Sequence, residues 1–249
     1  MIASVHETEG LRDLLVEALS RAEPEALGES MLPSDSQSAR IPEADRGRLV
    51  AVALADGDSL ARETIARWGG DPEVVARHLG IPVIESPEPS GFGSTVVYAE
   101  YGGRPPRIVL YETPLAQLDR RIQADGIGEL LQVVECRPIF LAHELYHHLD
   151  LARGGDSIAR RERVTVLRLG RFRWTSGIAA LAEIAAGAFA QRLLGLRFHP
   201  KLLDLIAIYD ADQAGARRMI GALRTFSTGS PSLERRQDHP LSLDGRGLG

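Results

Sequence analysis

The sequence is poor in several residue types, and each scarcity narrows the reading. One cysteine, Cys136, among 249 residues permits no internal disulfide and points to a reducing compartment. Lysine occurs once, at Lys201, so 28 of the 29 basic residues are arginine. The basic residues are outnumbered by 34 Asp and Glu, a formal net charge of −5 that argues against a nucleic-acid partner, whose footprint would be basic. The longest nearly apolar stretch, Gly177 to Ala190, is too short to span a bilayer and carries Glu183. The opening MIASVHETEG has neither a basic residue nor an apolar run, so it does not read as a signal peptide. A cytoplasmic chain with no membrane partner is the expectation.

What is present is a globular composition, 44% hydrophobic and 25% charged, without an internal repeat. The apolar period predicts a helix at residues 11–20, with Leu11, Leu14, Leu15 and Ala18 on one face. Residues 21–42 are rich in Pro, Ser and Glu and read as a flexible linker. A second amphipathic helix runs from Leu49 to Trp68, and Asp71-Pro72 caps a third that ends at Gly80. The period then changes. Ile81 to Glu85, Ser94 to Tyr101 and Arg107 to Tyr111 read as three short strands, with Gly102-Gly103 turning between the last two. Helices follow from Thr113 to about Ala124 and from Pro138 to about Leu151. Residues 153–173 form an Arg-rich connection, succeeded by helices over about 176–194, 201–209 and 211–226. The expected fold class is α+β, mainly helical, with a small three-stranded sheet beside the 138–151 helix. The expected organisation is an N-terminal helix and linker over 1–47, a main domain over 48–226 and a mobile tail over 227–249.

Seven histidines are present, and three fall between positions 143 and 148. Leu141-Ala142-His143-Glu144-Leu145-Tyr146-His147-His148 holds H-E-x-x-H on a predicted helix. At spacing i, i+4 both imidazoles share a face and can reach one metal ion. Glu144, beside the first of them, is placed to act as a base toward a metal-activated water. Chance placement of seven His and 19 Glu would produce the pattern only about 0.015 times in a chain of this length. A catalytic zinc ion needs a third protein ligand and an open position. Asp150 and Arg153 stand where a metzincin would continue with Gly and His, which excludes that class. Glu183 is the third-ligand candidate, because it is the only charged side chain on a helix apolar all round, where a carboxylate requires a cation or donors. Glu162 and Asp156 are weaker candidates, lying among arginines.

These residues carry a family resemblance. The HELxxH run preceded by short strands, then Glu183, Ala186, Phe189, Ala190 and Leu193-Leu194, resembles the ImmA/IrrE-type metallopeptidases among the gluzincins. Val74 to Ile84 (VVARHLGIPVI) is similar to that family's lead-in helix and first strand, and the resemblance covers roughly residues 48–196. It implies zinc held by His143, His147 and Glu183, with intracellular cleavage of a specific protein, often a transcriptional repressor. Two positions depart from the pattern: Tyr146 replaces a frequent Gly, placing a bulky ring beside the site, and Gly187 replaces a frequent polar residue that would orient a ligand.

The function expected from these readings is a zinc metallopeptidase acting on a protein or peptide, with Glu144 as its base. The alternative is a non-catalytic zinc protein in which the metal fixes two helices of a regulatory module. Tyr146, His148, His199 and Tyr209 are candidates to stabilise an oxyanion, and no spacing rule chooses among them. Tyr98 and Tyr101 read as strand packing, on a strand that can pair with an extended substrate. The Arg-rich connection holds seven Arg against Asp156 and Glu162 and reads either as a solvated loop or as a strip that docks an acidic partner. Nothing in the sequence bears on oligomeric state.

Overall fold

The computed structural model describes residues 10–21, 23–87 and 96–227. Its elements in chain order are α1 (Leu11–Arg21), α2 (Pro24–Met31), α3 (Glu43–Trp68), α4 (Pro72–Leu79), β1 (Val83–Ser86), β2 (Ala99–Gly103) and β3 (Pro106–Tyr111). There follow α5 (Glu112–Gln123), α6 (Ile127–Leu131), α7 (Arg137–Ala152), α8 (Ile158–Arg161), β4 (Arg163–Leu169) and β5 (Phe172–Gly177). The described chain closes with α9 (Ala179–Leu194), α10 (Leu203–Tyr209) and α11 (Gln213–Ser227). The molecule is mainly helical, with a small mixed sheet ordered β1-β3-β2, in which β1 runs parallel and β2 antiparallel to the central β3. Gly102 and Gly103 belong to β2, and the hairpin turns at Arg104-Pro105 instead.

The central element is α9, whose buried residues lie on nearly every side. Its closest neighbour is α3, and small residues make the approach possible: Ala53, Gly57 and Ala61 line the buried side of α3. A methyl group at Gly57 would stand 2.1 Å from the Ala185 carbonyl oxygen and 3.0 Å from the Phe189 backbone nitrogen. Backbone cannot yield as a side chain can. Gly57→Ala is therefore expected to cost about 3 kcal/mol in overpacking, offset by about 1 kcal/mol of helix propensity. Gly47, on the exposed part of the same helix, has only the end of the Glu29 side chain near, at 3.5 Å. There Gly→Ala should stabilise by up to about 1 kcal/mol. Urea unfolding of the two variants should shift midpoints in opposite directions; a shift of the same sign would contradict the close approach.

The segment read as a flexible linker is ordered and part of the core. Pro24 opens α2, short 3₁₀ turns follow at Leu32–Ser34 and Ser38–Arg40, and Leu27, Leu32 and Ile41 are buried. These apolar residues are too few and too widely spaced to show a helical period. Residues of α1, α2, α3 and α9 share one hydrophobic cluster, so a boundary at residue 47 has no counterpart, and α3 begins at Glu43. The segment also caps a helix. Buried Asp35 accepts a hydrogen bond from the Ala180 backbone N–H (2.9 Å), satisfying a donor at the start of α9 from a distance of 145 residues. The Arg-rich connection likewise contains structure, a two-stranded hairpin of β4 and β5. The expected mobile tail lies outside the described residues, apart from Ser227 at the end of α11.

Candidate metal centre

Pro138 sits in the first turn of α7, where its missing N–H is no loss, and the helix carries its apolar residues Ile139, Leu141, Ala142 and Leu145 into the core. His143 and His147 lie one turn apart, with ring centroids 5.0 Å apart. On α9, Glu183 faces them across the cleft. Its carboxylate oxygens lie 3.1 Å from His143 Nε2 and 3.4 Å from His147 Nε2. One donor atom from each of the three residues lies within 4.8 Å of the others, so His143, His147 and Glu183 form a group that could hold a metal ion. Glu162 and Asp156 are not brought to it; Glu162 instead pairs with Arg48 at 3.2 Å.

Glu183 differs from the sequence expectation in one respect. A helix apolar all round implied a buried carboxylate, yet the Glu183 side chain is 51% exposed. It occupies a stretch of α9 that opens on the cleft with the partly buried Ala182, while Leu181 and Ile184 turn inward. Partial burial acts to raise its pKa, but the hydrogen bond and charge of His143, with His147 and Lys201, hold it down at about 2. The two histidines differ. Burial and the neighbouring His143 push His147 down to about 4, leaving it neutral, whereas for His143 burial is outweighed by Glu183 and Glu144 and the pKa is raised.

Glu144 is buried, only 8% exposed, at the edge of the same cleft. Burial raises its pKa, His143 opposes that, and the Tyr101 backbone hydrogen-bonds to the carboxylate. Tyr101 belongs to β2, an edge strand of the sheet, so strand and helix meet at this acid. The same tyrosine's hydroxyl lies 3.0 Å from His148 Nδ1, and Tyr98 stacks on Phe140 with centroids 4.7 Å apart. Both tyrosines therefore pack the strand against α7.

Two hollows flank the three-residue group. One, of about 160 Å³, is bounded by Phe140, His143, Glu183, His199 and Lys201; the other, of about 380 Å³, by Tyr101, Glu144, His147, Ala159 and Arg160. A further surface hollow, of about 620 Å³ between α2, α3 and α9, touches none of these groups.

Tyr146 and Gly187 both have structural counterparts. Tyr146 does not narrow the cleft. Fully buried, it packs edge-on against His147 and gives its hydroxyl to Asp56 (2.8 Å) on α3. At Gly187 a methyl group would stand 2.4 Å from His199 Cε1, so the imidazole of His199 fills the place a side chain would take. His199 is itself buried; its Nδ1 accepts from the Lys201 N–H, and the ring also hydrogen-bonds to the Ile184 backbone. Of the four oxyanion candidates, His199 is the one that lines a hollow together with His143 and Glu183.

Asp56, Asp35 and the Tyr101 backbone carry no sequence signal for their roles, because each acts on a segment far away in the chain. Comparison of the chain with protein-family models, curated proteins and solved structures gives no match.

Proposed function

We propose that the protein is a zinc-dependent peptidase, with His143, His147 and Glu183 as metal ligands and Glu144 as general base. The observation that carries the reading is the meeting of three donor atoms within 4.8 Å in an open cleft, with a buried carboxylate adjoining the first of them. Zinc bonds of about 2.0–2.2 Å in tetrahedral array place ligand atoms roughly 3.3 Å apart, and the Glu183 separations of 3.1 and 3.4 Å fit that spacing. A zinc ion held there would polarise a peptide carbonyl and acidify a water molecule. Glu144 takes the proton of the attacking water and passes it to the leaving amine. An extended substrate would run along the edge strand β2 and across the two hollows. From the resemblance, the substrate is a specific intracellular protein, such as a transcriptional regulator.

The non-catalytic alternative drew its support from Tyr146 and Gly187. The ring of the first is turned toward Asp56 rather than into the cleft, and at the second the His199 imidazole occupies the place of the absent side chain.

Zinc must displace the proton from His143, whose pKa is raised. Affinity is thus expected to fall as pH decreases, beginning above the ordinary imidazole range and steepening to about tenfold per pH unit. Glu183→Ala should lower zinc affinity and move that fall to lower pH, because Glu183 is the strongest of the groups that hold the proton on His143. Competition with a chromophoric chelator across pH measures both. Chelation should abolish digestion of a peptide library, and added zinc should restore it; digestion that survives metal removal, or zinc affinity indifferent to Glu183→Ala, would overturn the assignment.

A further inference from the structure

The hairpin of β4 and β5 joins the two helices that bear the candidate ligands, and its outer half is two-faced. The strand register pairs Leu167 with Trp174 and Leu169 with Phe172, which puts four large apolar side chains on one face. They are 58%, 73%, 72% and 68% exposed in that order, and they border a shallow hollow of their own. Arg168 pairs with Arg173 on the other face, a like-charge pair that is unfavourable by itself. Arg171 stands in the turn, with its guanidinium 5.5 Å from the Phe172 ring centroid. From Arg163 to Gly177 there is no acidic residue, although the whole chain carries −5. The base of the hairpin is fixed, since Val164 is buried and Gly177 lies so close to Ala159 that a methyl group would stand 2.2 Å from its carbonyl oxygen. The arginines nearer the core are already engaged: Arg153 and Arg161 bind Asp56, and Arg163 binds Thr175. Arg173 reaches only the neutral Thr165 Oγ1 (3.2 Å), so among the described residues Arg168, Arg171 and Arg173 gather at the hairpin tip a positive charge that no acid matches.

We propose that this hairpin docks the protein on an anionic phospholipid surface. Among the described residues nothing covers the apolar face, and the choice of occupant follows from charge and from the use of both faces. A ribbon lying in the membrane interface buries one face about 5–10 Å deep, at the boundary of the acyl chains. Its opposite face then lies among the headgroups, where phosphates neutralise Arg168, Arg171 and Arg173 and relieve their mutual repulsion. A second copy would cover the apolar face only, and would add more arginines with no acid to match them. Nucleic acid would engage the arginines and leave the four apolar side chains in water. The expectation that no membrane is involved came from the absence of a spanning segment; none of the described helices is long and apolar enough to cross a membrane, and a surface hairpin requires none.

The test is sedimentation of the full chain with vesicles of phosphatidylcholine alone, or of phosphatidylcholine and phosphatidylglycerol in equal parts. The protein is expected to sediment with the mixed vesicles, to leave them at raised salt, and to ignore the neutral ones. Trp174 emission should shift to the blue on binding, and Trp174→Phe should bind while losing that shift, since the only other tryptophan is Trp68. Arg168→Gln with Arg173→Gln is expected to weaken binding about 30-fold. Phe172→Ser with Trp174→Ser should weaken it about 100-fold or more. All four side chains are exposed, so circular dichroism and thermal unfolding should be unchanged in these variants. The proposal is overturned by failure to bind mixed vesicles, by equal binding to neutral ones, or by hairpin variants that bind like the parent. A dimer in solution that Phe172→Ser with Trp174→Ser dissociates would assign the apolar face to a second copy and overturn it too. None of these readouts depends on hydrolysis, so the peptidase reading stands or falls separately.

Discussion

Glu144→Gln is expected to lower peptide hydrolysis by between about 10²- and 10⁴-fold while leaving the zinc content unchanged. Glutamine preserves the shape of the side chain and can still accept from the Tyr101 backbone, so the buried position keeps its hydrogen bond. What it loses is the ability to take a proton. The three groups that could hold the metal belong to other residues and are untouched. The loss should therefore appear in kcat with KM little altered, the pattern for an interaction made only in the transition state. Full activity of the variant would remove Glu144 from the mechanism. A parent protein that binds zinc yet digests a broad peptide and protein library no faster than Glu144→Gln would favour the non-catalytic reading instead.

The second large effect is on stability. Asp56 on α3 has a side chain only 5% exposed, and it accepts from Tyr146 Oη (2.8 Å), from two Arg153 nitrogens (3.1 and 2.7 Å) and from Arg161 (3.1 Å). Arg153 also binds Asp150, whose Oδ1 takes the Ile158 N–H at 3.0 Å. One carboxylate thus ties α3 to α7 and α8 behind the candidate metal centre. Removing one partner of a buried pair costs about 3–5 kcal/mol, because the others are left unpaired. Arg153 and Arg161 are 27% and 42% exposed, so water screens part of the loss and the lower end applies to Asp56→Ala. About 3 kcal/mol in a chain of this size lowers Tm by roughly 6–12 °C.

That contribution depends on pH in a definite direction. Burial acts to raise the Asp56 pKa, and Arg153, Tyr146 and Arg161 outweigh it, leaving the value below the ordinary 3.8. A depressed carboxylate stabilises the fold at pH values above its unfolded pKa, and that stability is lost as pH falls through the folded value. The gap between parent and Asp56→Ala should be complete at neutral pH and begin to close only below about pH 4. A gap that closes near pH 6 would point to histidine rather than Asp56. Since Tyr146 packs on His147, thermal scans with and without zinc should show a smaller zinc-induced rise in Tm for Asp56→Ala than for the parent.

The parts of this protein legible in its sequence are those encoded over a few residues. H-E-x-x-H declares itself because the helical repeat alone puts i and i+4 side by side, whatever surrounds the helix. Asp71-Pro72 and Gly80 bracket α4 as expected, since Asp71 Oδ1 accepts from the Glu73 and Val74 N–H groups and Gly80 adopts the left-handed conformation. Glu183 could be chosen because a lone charge in an apolar helix needs a reason. Its exposure could not be read, because that depends on which side of α9 is left uncovered by α3 and α7. The segment between α1 and α3 has the composition of a linker; that it is ordered follows from Leu27, Leu32, Ile41 and Asp35 meeting α3 and α9 in three dimensions.

The same division holds for the arginines between 153 and 173. Sequence determined their number, their net charge and the shortage of acids among them. Only the tertiary structure separated those bound by Asp56 from those left at the hairpin tip, because the deciding carboxylate lies about a hundred residues away on another helix. Tyr146 and Gly187 were likewise given their meaning by Asp56 and His199. Local spacing determined that two imidazoles and a base share a helix. Long-range packing, through the backbone contact of Gly57 with Ala185 and the capping of α9 by Asp35, decided that Glu183 stands opposite them.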